Sequence, residues 1–120
     1  MGRLTKHFTR KELECRCGCG TCYVSPQALS KLETLRRLAR RPIFINSACR
    51  CPAHNARVGG APLSQHRSTK NRPATAFDIS LRNFHKGELI RLAIQAGFKG
   101  IGQNYKTFVH VDDRHYYARW

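Results

Sequence analysis

The chain has 120 residues, 41% of them hydrophobic, which is enough for one domain with a modest core and excludes global disorder. No apolar run approaches the length of a membrane span. The formal charge is +15, because 22 lysines and arginines stand against 7 acidic residues. Such a surface attracts anionic polymers, among them nucleic acids and cell-wall polymers, but does not choose between them. We predict a single domain spanning residues 1–120.

Helical signals occur in both halves of the chain. Thr9 followed by Glu12 forms a capping-box pattern, which predicts a short helix. Ser25 before Pro26 marks the start of a longer helix, whose apolar stripe of alanines and leucines, Leu38 included, is expected to face the core. The predicted helices cover residues 7–13, 26–40, 53–58 and 86–96.

Short apolar and β-branched runs lie between and after these helices and predict strands. The glycines and alternating cysteines of residues 15–22 predict an irregular loop. We therefore predict an α+β fold with N-terminal helices and a small, mostly antiparallel sheet. The predicted strands cover residues 42–48, 74–80, 100–102 and 108–112.

Two of the predicted strands carry one polar side chain between apolar neighbours. Asp78 lies between a phenylalanine and an isoleucine, and His110 lies between two valines. A carboxylate in such a strand is costly unless it is paired or bound to a metal. Each residue alone is more often a hydrogen-bonded core residue. Together with His66, however, they offer two nitrogens and one oxygen, a donor set that holds catalytic zinc with a fourth position open.

Motifs along nearly the whole chain are shared with one known family. The chain resembles the zinc D-Ala-D-Ala carboxypeptidase superfamily, which includes VanY-type peptidases, phage endolysins and the Hedgehog signalling domain. Within it, the motifs look like those of the small phage or prophage branch. The matching segments are residues 7–13, 15–22, 47–52, 54–55, 58–66, 74–80, 100–102, 108–112 and 119–120.

The resemblance implies a Hedgehog-like or DD-peptidase-like fold and a zinc-dependent peptidase that acts on peptidoglycan. It also implies that Arg50 helps to bind the carboxylate or carbonyl of the substrate, a task that suits a planar cation. Ser64 and Gln65 match positions beside the first ligand and are candidate substrate-binding residues. The implied zinc ligands are His66, Asp78 and His110.

Two departures from the family pattern stand out. Residues 67–77 separate the first two predicted ligands by more positions than in typical relatives, which is expected to alter the rim of the cleft rather than the metal. Thr107 stands where many relatives have an acid or histidine as general base. Strand alternation places Asp112 on the face of His110, and Asp113 on the other. Asp112 is therefore predicted as the general base or as a carboxylate that orients a ligand histidine.

Six cysteines form a second candidate site. The first residues of the chain lack the apolar core of a signal peptide, so we expect synthesis in a reducing cytoplasm. Cys19 and Cys22 have metal-ligand spacing, and a second pair follows downstream. A structural zinc, a disulfide set and reduced thiols all remain open. The candidate residues are Cys15, Cys17, Cys19, Cys22, Cys49 and Cys51.

The predicted function is that of an endolysin-like zinc peptidase, a monomer that acts on the cell wall after host lysis or from a phage particle. Its predicted partners are peptidoglycan stem peptides and anionic wall or outer-membrane polymers. One alternative is a non-catalytic, zinc-containing wall-binding module, suggested by Thr107. The other is a basic nucleic-acid-binding domain, which rests on charge alone because no groove-reading motif is present, so no specific nucleic acid is expected.

Overall fold

The computed structural model describes residues 4–61 and 63–120, and it shows an α+β fold around one five-stranded sheet. Residues 1–3, which belong to the segment predicted to lack a signal peptide, lie outside the described residues, as does Pro62 of the 58–66 motif. None of the helices described is both long enough and apolar enough to cross a membrane.

The helices begin where the sequence supplies caps. Thr9 accepts a hydrogen bond from the backbone N–H of Glu12, whose carboxylate accepts one from the N–H of Thr9, so the predicted capping box is present. Ser25 caps the longest helix, and Gly97, with φ of +106°, ends the last one in the left-handed conformation that glycine favours. The helices are α1 (Arg10–Leu13), α2 (Pro26–Ala39), α3 (Pro52–Arg57) and α4 (Lys86–Ala96).

The sheet has the strand order β1-β2-β4-β3-β5. Its first four strands in this order are antiparallel neighbours, and the short edge strand β5 runs parallel to β3. The predicted mostly antiparallel sheet is therefore confirmed. The strands are β1 (Ile45–Ser47), β2 (Ala76–Ser80), β3 (Gly100–Gly102), β4 (Phe108–Asp112) and β5 (Ala118–Arg119), and a 3-10 turn (Leu81–Asn83) follows β2.

Some details differ from the sequence prediction. The strand predicted over 42–48 is shorter and covers Ile45–Ser47, where its register against β2 shifts. Leu38 is 43% exposed, because the buried stripe of α2 continues to Ala39 instead. The edge strand β5 was not predicted, since two residues are too few for an alternating pattern.

The two faces of the central strands have opposite character. One face of β2 and β4 packs into the hydrophobic core with residues of α2 and α4. Alternation along the strands turns Asp78 and His110 to the opposite face. The fully buried core residues of these strands are Phe77, Ile79, Val109 and Val111.

Candidate metal centre and active-site cleft

Asp78 and His110 are direct cross-strand partners in the middle of the β2–β4 pair. Side chains at such positions project to the same face a few ångströms apart. His66 reaches them from the loop that precedes β2. Its position is supported by Ser64, whose hydroxyl accepts a hydrogen bond from the backbone N–H of His66 at 3.1 Å. The structure thus brings together the three predicted ligands, and all three are buried.

Both imidazoles converge on one oxygen of Asp78. The Nε2 atom of His66 and the Nδ1 atom of His110 each lie 3.0 Å from its Oδ1 atom. One ligand atom from each of the three residues lies within 4.8 Å of the others. The Nη2 atom of Arg50 approaches the second oxygen, Oδ2, at 3.7 Å. This compact set of two nitrogens and one oxygen has the size and composition of a zinc site.

The outer nitrogen of each imidazole has its own acceptor. The Nδ1 atom of His66 lies 2.8 Å from the backbone carbonyl oxygen of Ala48, and the Nε2 atom of His110 lies 2.7 Å from Oδ2 of Asp112. Since these oxygens only accept, the outer nitrogens must donate. Neutral imidazoles then point lone pairs at Asp78, an arrangement that requires a cation or a proton between them. The residues therefore fit a zinc ion. The ring nitrogen of each histidine that faces away from the ion is held by a hydrogen bond to an oxygen, as is usual in protein zinc sites.

The ionisable groups of the cluster favour their charged forms. Burial would raise the pKa of Asp78, but its contacts with the rings of His110 and His66 lower it below its ordinary value. Burial would lower the pKa of His110, whereas Asp112 and Asp78 raise it overall. The pKa of Asp112 falls to about 2, because hydrogen bonds from Arg114 and His110 outweigh its burial. The cluster is therefore set up to keep its carboxylates deprotonated and to attract positive charge.

Asp112 is fully buried beneath Arg114. The Nε atom of Arg114 donates to Oδ1 at 2.7 Å and its Nη2 atom to Oδ2 at 2.6 Å, a two-pronged pair. Gly100, which faces Asp112 across the β3–β4 pair, leaves room for this carboxylate, since a Cβ atom there would lie 2.0 Å from Oδ1. Asp113 faces the other side of the molecule, as predicted from alternation, and forms an ion pair with Lys31.

A cleft of about 420 Å³ opens onto the three predicted metal ligands, His66, Asp78 and His110, which together form the metal cluster. Arg50, Ser64 and Gln65, the predicted substrate-binding residues, all line it. Asp112 does not, and residues 67–77, which hold the extra loop length, contribute none of the lining. That loop lies against the segment before α2, where the Ser68 hydroxyl donates to the Tyr23 carbonyl oxygen at 2.6 Å, and its Arg72 guanidinium donates to the carbonyl oxygens of Leu63 and Ser64 on the cleft rim at 2.9 and 3.1 Å.

Sequence reasoning missed several residues of the cleft wall. Arg114 and Trp120 line it, and the Trp120 ring lies 5.1 Å from that of His110. The Trp120 indole N–H donates to the Tyr105 hydroxyl at 3.0 Å, so the last residue closes one side of the cleft. Only the Arg119-Trp120 match to the family pointed to this region, because the tail has no periodic pattern.

The six cysteines separate into two groups. Cys15, Cys17, Cys19 and Cys51 place their sulfur atoms within 4.8 Å of one another. Cys22, whose spacing from Cys19 suggested a shared pair, lies outside that set, as does the buried Cys49. The cluster is therefore assembled by the fold, not by the Cys-x-x-Cys spacing.

Comparison with curated proteins finds no match. Comparison with protein-family models finds a match to peptidase M15 over residues 6–112, a span that contains the metal cluster and the whole of β1 to β4. This confirms the resemblance to the zinc D-Ala-D-Ala carboxypeptidase and VanY-type superfamily and the α+β fold that it implied. The chain belongs to the peptidase M15 family of zinc metallopeptidases.

Proposed function

We propose that the protein is a zinc-dependent peptidase that hydrolyses an amide bond in the stem peptide or cross-link of peptidoglycan. The observation that carries this proposal is the convergence of His66, Asp78 and His110 in an open cleft of a peptidase M15 chain. Bound by these residues, zinc would supply Lewis-acid chemistry that polarises a carbonyl and activates a water near neutral pH. The side of the cluster that faces the cleft is where a substrate can approach.

Arg50 and Arg114 give the cleft its positive charge. Arg50 is held by its backbone, which donates to the carbonyl of His66 at 2.8 Å and accepts from the N–H of Ser68 at 2.7 Å. Its guanidinium lies beside Asp78, on the wall of the cleft. Stem peptides carry several carboxylates, and a guanidinium binds a carboxylate through two parallel hydrogen bonds. We assign Arg50 to the substrate, with Ser64 and Gln65 beside it.

Asp112 acts, in this proposal, by orienting His110. Its two oxygens are engaged by His110 and Arg114, it has no exposed surface, and it is not part of the cleft wall. A general base must reach the proton that it removes, directly or through one water. Of the two roles predicted for Asp112, the geometry therefore favours the orientation of a ligand histidine.

A second candidate function is a zinc-containing module that binds the cell wall without cleaving it. Among the described residues that line the cleft, Asp78 is the only carboxylate. Thr107, at the position of the expected base, is exposed and also lies outside the lining. The lack of a second carboxylate in the cleft favours binding without hydrolysis. The digestion of sacculi described below separates the two functions.

The basic surface supports the rest of the proposal. A net charge of +15 favours contact with anionic wall or outer-membrane polymers, which would concentrate the protein at its substrate. We propose an endolysin-like role, in which a monomer made in the cytoplasm reaches the wall after host lysis or from a phage particle. The similarity to the small phage branch supports this role.

The test is digestion of purified sacculi, with the released fragments identified by mass spectrometry. The wild type should release new peptide fragments, and His66→Ala or chelator treatment should reduce the rate about a hundredfold or more. His115→Ala, an exposed histidine outside the cluster, is the matched control and should cleave normally. If zinc-loaded wild type sediments with sacculi but releases no fragments, the peptidase proposal is wrong and the wall-binding module is the supported function.

A further inference from the structure

The cysteine cluster joins two segments that are distant in sequence. Cys15, Cys17 and Cys19 lie in the loop after α1, whereas Cys51 is the N-cap of α3. The backbone N–H of Cys49 donates to the carbonyl of Leu13 at 3.0 Å, so the two segments are already tied together where the cluster begins. Four sulfur atoms meet there without an acidic or histidine side chain among them.

The spacing of the sulfur atoms suits a metal and not a disulfide. The Sγ atoms of Cys17 and Cys51 are 3.8 Å apart, and those of Cys15 and Cys17 are 3.4 Å apart. Four sulfurs placed tetrahedrally about 2.3 Å from a zinc ion lie about 3.8 Å from one another. Bonded sulfurs are only about 2.0 Å apart. These two separations, and an upper limit of 4.8 Å for the other pairs, are close to the dimensions of a tetrathiolate zinc site.

The surrounding backbone is arranged for thiolate ligands. The N–H of Cys51 points to the sulfur of Cys15, and the N–H of His54 points to the sulfur of Cys51, each at 3.4 Å. Such donors stabilise negative sulfur and orient it toward a metal. Gly18 and Gly20 adopt φ values of +88° and +82°, which turn the loop so that successive cysteines face the same point.

Arg16 holds the cysteine loop in place, and the overall charge of the chain suits an anionic centre. Arg16 lies between two of the cysteines, and its guanidinium donates to the carbonyls of Glu12 and Ile45 at 2.7 and 2.9 Å. It thereby ties the loop that carries three of the four cysteines to β1. A zinc ion with four thiolates carries a net charge of minus two, which a strongly basic chain accommodates readily.

We propose that Cys15, Cys17, Cys19 and Cys51 bind a structural zinc ion, separate from the cluster in the cleft. Four protein ligands leave no open position, which is typical of structural rather than catalytic sites. The ion would fasten the loop after α1 to the turn that carries Arg50, the residue immediately before Cys51. The site does not depend on the proposed peptidase activity, so each can fail without the other.

Cys22 and Cys49 are natural controls within the same chain. The sulfur of Cys49 is buried and faces the carbonyl oxygen of Tyr23 at 3.7 Å, while that of Cys22 faces the carbonyl oxygen of Arg10 at 3.9 Å. Neither belongs to the group of four. Substitution of Cys22 therefore removes a thiol from the same region without removing a proposed ligand.

The experiment measures metal content and cobalt spectra of the full chain, purified under reducing conditions. Wild type should bind two equivalents of zinc, and the double variant His66→Ala/His110→Ala should retain one. Cobalt in that double variant should show thiolate-to-metal charge-transfer absorption and tetrahedral d–d bands. The spectrum should survive a further Cys22→Ser change, and Cys17→Ser/Cys19→Ser should abolish it and release the second equivalent.

Three results would overturn the proposal. In the first two, circular dichroism shows the double histidine variant to be folded, but the variant binds no metal or its cobalt form lacks the thiolate absorption. In the third, alkylation followed by mass spectrometry shows disulfides among the four cysteines in wild type purified with zinc. Because the thiolate absorption is read in a background that retains all four cysteines, the conclusion does not depend on whether the cysteine variants fold.

Discussion

Asp112 is the residue on which the interpretation of the cleft depends most. It is fully buried, and its two oxygens are shared between the Nε2 atom of His110 and the guanidinium of Arg114. Carboxylates that hold the far nitrogen of a ligand histidine fix the ring and strengthen it as a ligand. A role in metal affinity therefore follows from these contacts, and a role in proton transfer does not.

We predict that Asp112→Asn lowers zinc affinity about 10- to 100-fold, because the amide holds His110 less firmly than the carboxylate. Competition with a chromophoric chelator measures this affinity, and circular dichroism confirms that the variant is folded. Asp113→Asn is the matched control: it changes the neighbouring carboxylate, which pairs with Lys31 on the other side, and should leave zinc affinity unchanged. An Asp112→Asn protein with normal zinc affinity and no peptidase activity would instead identify Asp112 as the base.

Strand alternation and the family motifs predicted that His66, Asp78 and His110 form one group, because every second side chain of a strand faces away from the core. The structure does bring these three side chains together. The residues that surround Asp112 and His110 were harder to predict from the sequence. Arg114 and Trp120 reach the cleft from an irregular tail, where no periodicity shows which way a side chain faces. Such positions depend on tertiary packing.

At the scale of elements, β3 is the strand that limits what can surround the metal cluster. Gly100 lies against the carboxylate of Asp112, and Gly102 lies against the indole of Trp120, where an added Cβ would come within 2.9 Å. Both glycines are needed because side chains of neighbouring elements fill the space beside the strand. The Gly-x-Gly pattern thus reflects close approach rather than a turn.

We predict that Gly100→Ala destabilises the fold by about 2 kcal/mol or more, since a methyl group would displace the Asp112–Arg114 pair. Gly87→Ala is the matched control. Its nearest neighbour is the end of a flexible arginine at 3.9 Å, and alanine in a helix should stabilise the protein by about 0.5 kcal/mol. Urea unfolding of both variants measures the difference. Equal stability of the two would contradict the crowding at β3.

The helices and most strands were predictable because capping residues and apolar runs mark them locally. The helix over 86–96 and the strands at 100–102 and 108–112 have the bounds that were predicted. The ends of β1 were not predictable, since the apolar run begins at Pro42 but the strand covers only Ile45–Ser47. Whether an extended segment belongs to a sheet depends on a partner that local sequence does not specify.

At the scale of the whole molecule, the segment before α1 is fastened to α2 by one ionisable pair. The backbone N–H and the ring Nδ1 of His7 lie 3.0 and 2.5 Å from the two oxygens of Glu33. Burial would raise the pKa of Glu33, but the hydrogen bonds of His7 lower it below its ordinary value of 4.5. The charged carboxylate is therefore favoured by folding.

Because the pKa of Glu33 is lower in the folded state than in the unfolded state, its charge stabilises the fold at pH values above about 4.5. This stabilisation is lost as the pH falls from about 4.5 through the pKa of the folded state. We predict that Glu33→Gln lowers the free energy of unfolding by about 1 to 2 kcal/mol at pH 7 and by much less at pH 3. Urea unfolding of wild type and Glu33→Gln at both pH values tests this prediction. Any loss of metal in acid affects the two proteins alike and cancels in the comparison. A difference that does not change with pH would show that the charge of Glu33 is not involved.

The position of Trp120 also bears on how the protein can be observed. It is the only tryptophan of the chain, its ring lies 5.1 Å from that of His110, and its indole N–H is bonded to Tyr105. All indole fluorescence therefore originates beside one predicted ligand. The emission is a built-in optical reporter of the cleft, through which metal loading and substrate entry can be followed in real time without a label.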